Sequence, residues 1–141
     1  MQAIQDPIPH NHRWGCGTLN SNGLQIKSYP EGDETVCRFQ PLPHFMAGPT
    51  NVLCGGIIAS LIDCHCVCTA IADAYRSAGR PLGSSPDLRA VTAALRVDYL
   101  SPTPLGQPLE LRARAVERYG HNGLGSQPPL WRPGAGAWES L

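Results

Sequence analysis

Gly55-Gly56-Ile57-Ile58-Ala59-Ser60-Leu61-Ile62-Asp63 opens the longest apolar run of the chain, with two glycines at its mouth and one carboxylate two turns inside. Between residues 55 and 72 the ionisable side chains apart from cysteines are Asp63 and His65, so a helix here is apolar nearly all the way round. Such a helix is enclosed, either at the centre of a fold or in a membrane. A carboxylate in that setting is costly unless partnered, and its presence points to a purpose. Gly79 and Pro81 supply a stop, and residues 73–80 turn polar. The helix is therefore expected over residues 55–77, emerging into solvent at its end.

Working outward, the flanks alternate. In residues 24–29, Leu24, Ile26 and Ser28 share one side and Gln25, Lys27 and Tyr29 the other. Pro30-Glu31-Gly32-Asp33 carries turn chemistry, and residues 35–40 read as the returning strand. Pro41 and Pro43 end it, and residues 43–47 suit a short helical turn before Gly48-Pro49. After the helix, Val91, Ala93, Leu95, Val97 and Tyr99 alternate with Thr92, Arg96 and Asp98, which predicts a strand over residues 90–100. Residues 109–118 repeat the pattern, with Leu109, Leu111, Ala113 and Ala115 against Glu110, Arg112, Arg114 and Arg118. Ser101-Pro102-Thr103-Pro104-Leu105-Gly106 reads as a hairpin connection between them. One-sided strands need something to cover, and an all-round apolar helix needs to be wrapped. An α+β fold results, with an antiparallel sheet curling around one central helix.

Composition narrows the function classes. A chain of 141 residues supports one domain with a real core. Eleven cationic residues balance eleven acidic ones, so no basic field favours a nucleic-acid partner. Residues 57–72 fall short of the roughly 20 residues of a membrane span and carry Asp63, so no membrane partner is expected. Residues 1–10 lack a cationic region followed by an apolar run, hence no secretory signal. Six cysteines (16, 37, 54, 64, 66 and 68) read, in that context, as reduced thiols of a cytoplasmic protein. A metal reading of Asp63-Cys64-His65-Cys66-Val67-Cys68 fails on helical geometry. Cys64 and Cys68 share one face, Asp63 and Cys66 another, and His65 points elsewhere, unless His12 and Cys16 fold over them. No metal and no cofactor is expected.

With these words in this order, the chain resembles the hotdog-fold acyl-CoA thioesterase superfamily, in its phenylacetate-pathway-like or 4-hydroxybenzoyl-CoA thioesterase-type branch. The resemblance rests on Gly15-Cys16-Gly17 with Asn22-Gly23-Leu24, on Pro43-His44-Phe45, on Gly55-Gly56 followed by Leu61-Ile62-Asp63, and on Val97-Asp98-Tyr99-Leu100 with Pro102 and Gly106. It covers residues 12–118. It implies a thioester of coenzyme A or acyl carrier protein as substrate, hydrolysed without metal by a homodimer or homotetramer. By position it implies Gly55 and Gly56 as backbone donors to the thioester carbonyl and Asp63 as base or nucleophile. The division would be an amino-terminal arm over residues 1–22, a hotdog domain over 23–118 and an atypical tail over 119–141.

Independent physics supports the glycine and aspartate assignments. A helix N-terminus has unpaired amides and partial positive charge, suited to a developing oxyanion, and glycine lets a carbonyl approach closely. Eight residues separate Gly55 from Asp63, about 12 Å along one helix, too far for one carbonyl. Donor and carboxylate are therefore expected from different subunits. Among substrate contacts, His44 with Phe45 either lines the pocket or packs, and His65 is a polar residue at the subunit seam or a pH-sensitive neighbour of the site. Arg96, Arg112, Arg114 and Arg118 either meet coenzyme A phosphates or form a solvated face.

Two departures stand out. Relatives commonly have histidine before the glycine pair, where this chain has Cys54, a small packing residue or a thiol activated by the helix N-terminus. From Gly120 to Leu141 there is no Val, Ile, Thr, Tyr or Phe, so the completing strands of the family are expected to be missing or replaced. A shifted reading frame or alternative splicing would give such an end. The alternatives to an active thioesterase are then a non-catalytic acyl-thioester binder and an inactive family member.

Overall fold

The computed structural model describes residues 1–116 and, beyond them, the two-residue backbones 118–119 and 130–131. Helix α1 spans Gly55–Ser77, the limits expected from composition and stop signals. Its end is a paired cap: Gly79, at φ 64°, donates to Arg76 O at 3.1 Å and Arg80 donates to Tyr75 O at 3.0 Å. These two bonds satisfy carbonyls that the helix itself leaves open.

Strands β1 (Ser28–Glu31) and β2 (Glu34–Phe39) form a hairpin closed at Glu31 and Glu34, and β3 (Leu109–Ala113) pairs antiparallel with β2. The register sets Ser28 beside Cys37, and Thr35, Cys37 and Phe39 beside Ala113, Leu111 and Leu109. These residues make the face that packs on α1, where Ile4, Cys16, Ile26, Cys37, Leu61, Cys64 and Cys68 form the main core cluster. On the other face Arg112 pairs with Glu31, Glu34 and Glu110, and Arg38 pairs with Glu110. By length and composition alone α1 could cross a membrane, yet more than half of that stretch is buried within this chain.

Three expectations need correction. The first strand begins at Ser28, not at residue 24, because Gln25 sits at φ 55° and breaks the extended run. Leu24 and Ile26 donate instead to Trp14 O and Gly15 O. Residues 1–22 form only turns, but Ala3, Ile4, Gln5 and Cys16 are buried, and Ile4 N donates to Ser28 O at 2.8 Å. Second, residues 90–100 form no strand, and the 101–106 link is no hairpin. The segment runs antiparallel along α1: Leu88 and Ala90 pack against Val67, Ile71 and Tyr75, and Val97 packs against Ile62 and Cys66. Of the face expected to pack inward, Val97 does so, while Val91, Leu95 and Tyr99 are exposed. Third, the last predicted strand stops at Ala113. Residues 118–119 (β4) pair with 130–131 (β5) in a separate two-stranded ladder. The rest of the expected tail, 119–141, lies outside the described residues.

Candidate active site

The start of α1 is held from outside the helix. Cys54, its N-cap, donates its backbone N–H to Phe45 O at 2.8 Å, and Leu53 N donates to Thr103 O at 2.9 Å. Pro43–Phe45 form a 3-10 turn, with Phe45 stacked on Phe39 and His44 exposed against the Phe45 edge. Cys54 gives no side-chain cap, so among the described residues the Gly55 and Gly56 N–H groups have no partner. Two unpaired donors at a positive helix end are the arrangement a developing oxyanion requires. The Gly55 carbonyl accepts the Tyr99 hydroxyl at 2.7 Å, and Gly56 is exposed.

Asp63 lies half-buried on the flank of α1 rather than inside an apolar wall. Its Oδ1 accepts the Thr92 hydroxyl. Among the described residues Oδ2 accepts no hydrogen bond, which leaves it for a water or a substrate atom. One irregular segment thus touches both candidate catalytic features, Asp63 through Thr92 and the helix start through Tyr99. Tyr99 is part of the Val97–Leu100 motif and Thr92 of the predicted strand, but the sequence marks neither as a site residue. Thr92 lies on the polar side of a predicted strand, and nothing in its spacing says which helical turn it meets.

His65 is not brought to this site. It has no exposed surface and faces the sheet, where Nδ1 pairs with Ser28 Oγ at 2.8 Å and Nε2 with Thr35 O at 3.1 Å. A carbonyl only accepts, so Nε2 carries the hydrogen and Nδ1 accepts from Ser28. Gln5 extends the network to Ser28 and to Cys68. Burial lowers the His65 pKa to about 4, so the ring is neutral. The expectation of a substrate contact or seam residue is corrected: helical spacing turns position 65 away from position 63 and toward the β-strands.

The thiols are packing groups. Cys16 folds over the helix with its Sγ 3.6 Å from that of Cys68. Burial, then the Asp63 charge, pushes the Cys66 thiol up to about 12, and burial raises Cys37 to about 11. Protonated thiols are poor metal ligands. Among the described residues no group of three or more His, Cys, Asp or Glu gathers at ligand distance. Cys54 is half-buried at the helix mouth. Of the arginines, Arg112 is engaged by three carboxylates and Arg96 by Asp98, which is the solvated-face arrangement.

Residues 50–121 match the thioesterase superfamily. No curated protein matches the chain. Among solved structures it is similar to a thioesterase superfamily protein from Shewanella loihica PV-4, with 42% identity over 70% of this chain and 75% of that one, and a TM-score of 0.52. The helix start with its two free amides and the carboxylate on the same helix lie inside the matched region. The chain belongs to the thioesterase superfamily and has its hotdog fold, one long helix against an antiparallel sheet.

Proposed function

We propose that the protein hydrolyses the thioester of a small or medium acyl group carried on coenzyme A or acyl carrier protein. The observation that carries this is the pair of amides at Gly55 and Gly56 on the same helix as Asp63, the amides and Asp63 Oδ2 all without a partner among the described residues, in a thioesterase superfamily chain. The thioester carbonyl accepts from the amides. Asp63 takes a proton from water through Oδ2 while the water oxygen attacks the carbonyl carbon. The C–S bond then breaks, the thiol leaves with the proton, and the acyl group departs as a carboxylic acid. With Asp63 as nucleophile instead, Oδ2 attacks the carbonyl carbon, the C–S bond breaks, and the thiolate leaves and takes a proton from water. A second water opens the resulting acyl anhydride to the carboxylic acid and the Asp63 carboxylate. A single turnover in ¹⁸O water separates the routes: direct attack by water puts one ¹⁸O into every product acid, whereas an anhydride opened at the Asp63 carbonyl releases an acid without label and leaves the ¹⁸O on Asp63.

The active unit in this reading is a homodimer, alone or within a tetramer. Gly55 and Asp63 of one chain stand about 12 Å apart along the helix axis, so one carbonyl meets the amides of one protomer and the carboxylate of its partner. Six free thiols support placing the protein in the cytoplasm.

The second reading, an acyl-thioester binder without turnover, is favoured by Cys54, where a thiol stands in place of the histidine common among relatives. Thiol release from a panel of short, medium and aromatic acyl-CoAs decides between them. Hydrolysis lost in Asp63→Asn by about 10²- to 10⁴-fold, with the fold intact by circular dichroism, is the expected outcome. Saturable binding with no thiol release would establish the binder.

A further inference from the structure

Tyr99 stands against the first residue of α1. A Cβ built on Gly55 would lie 3.4 Å from Tyr99 Cε1 and 3.5 Å from Cζ and the hydroxyl oxygen, so the ring lies in van der Waals contact with the side-chain position of residue 55. At Gly56 the nearest such atom is Cys54 Sγ at 3.8 Å, and that glycine is exposed. The helix mouth is therefore walled by an aromatic ring at Gly55 and open at Gly56. The wall is held in place, because the hydroxyl donates to Gly55 O at 2.7 Å. The segment carrying it is tied to α1 by Val97 on Ile62 and Cys66 and by Thr92 on Asp63. Tyr99 is nonetheless 55% exposed, so its ring presents surface that the core does not use.

We propose that Tyr99 is a specificity-determining residue of the thioester site, its ring forming the wall that limits the bulk of the acyl group brought to the Gly55–Gly56 amides. The proposal rests on reading those amides as the carbonyl site. A tyrosine that merely fastened residues 97–100 to the helix would, on removal, weaken every acyl group alike. A wall discriminates between them, and pocket walls typically discriminate by ten- to 200-fold per group added or removed.

The test uses the full chain and two readouts: dissociation constants for non-hydrolysable acyl-CoA thioethers of increasing bulk, from acetyl to octanoyl and benzoyl, and kcat/KM for the matching thioesters. Tyr99→Ala is expected to favour the bulkiest over the smallest acyl group by about tenfold or more relative to wild type. Tyr99→Phe keeps the ring, and is expected to keep the wild-type order. Tyr99→Trp enlarges the wall, and is expected to move the preference toward small groups, a reading that survives if the alanine variant does not fold. Equal losses across the series in Tyr99→Ala, with no opposite shift in Tyr99→Trp, would overturn the proposal. Thioether selectivity that follows Tyr99 in a protein without turnover would uphold the wall and remove the hydrolase. Asp63-dependent turnover with selectivity indifferent to Tyr99 would do the reverse. Neither binding nor turnover of any member would overturn both.

Discussion

His65 is a titratable side chain committed to architecture, and its chemistry sets a pH dependence. Its folded pKa is about 4 against an ordinary 6.5, the cause being burial. Between those values the unfolded chain binds more protons than the folded one, so stability falls as pH drops through the window and levels off below it. The full effect is on the order of 3 kcal/mol. Urea midpoints measured from neutral pH down to about 4 should fall steeply for wild type and less for His65→Gln; equal slopes would contradict this origin. At the same scale, Thr92 holds the Asp63 carboxylate by one oxygen, which in the proposed reaction makes it a positioning residue. Thr92→Val is expected to lower kcat on the order of tenfold with little change in KM, because a misaimed base loses rate rather than binding. A change confined to KM would remove Thr92 from that role.

At the scale of elements, the joints around α1 are the sensitive points. Gly79 ends the helix at φ 64° with open space where a Cβ would point, so Gly79→Ala tests backbone strain alone. A loss of about 1–2 kcal/mol in urea unfolding is expected. Gly15 is the opposite case, since its Cβ would lie 2.3 Å from Cys64 Sγ. Gly15→Ala should destabilise strongly through steric overlap of the amino-terminal segment with the helix. Adding Cys64→Ala should recover part of the loss, and additive losses in the double-mutant cycle would show that the two sites do not meet.

At the scale of the molecule, the proposed dimer makes a prediction that no single chain can satisfy. Asp63→Asn removes the carboxylate, and Gly56→Pro removes one amide donor in the first helical turn, where proline is tolerated. Each alone should be inactive. Unfolded together and refolded as a mixture, half of the dimers pair one variant with the other, and each of these has one intact site. About a quarter of wild-type activity should then return, as two-fold symmetry requires. No recovery, with mixed dimers shown by mass spectrometry, would mean that both groups serve from one chain.

The amino-acid sequence by itself determined the elements whose signals are local. The 55–77 helix followed from an unbroken apolar run ended by Gly79 and Pro81, β2 from the turn residues before it, and the inward face of β3 from two-residue alternation. The glycine pair and Asp63 were legible as a candidate site because glycines and a carboxylate are conspicuous on an apolar helix. Tertiary structure decided what depends on a neighbour. Residues 90–100 alternate as a strand does, but alternation encodes two faces and not a partner; without a paired backbone the segment became a tie along α1 that delivers Thr92 and Tyr99 to the site. Residues 24–26 bonded the amino-terminal segment instead of β2, and His65 went to the sheet rather than the substrate side. Each of these outcomes turns on a contact between residues more than eight positions apart, which periodicity does not record.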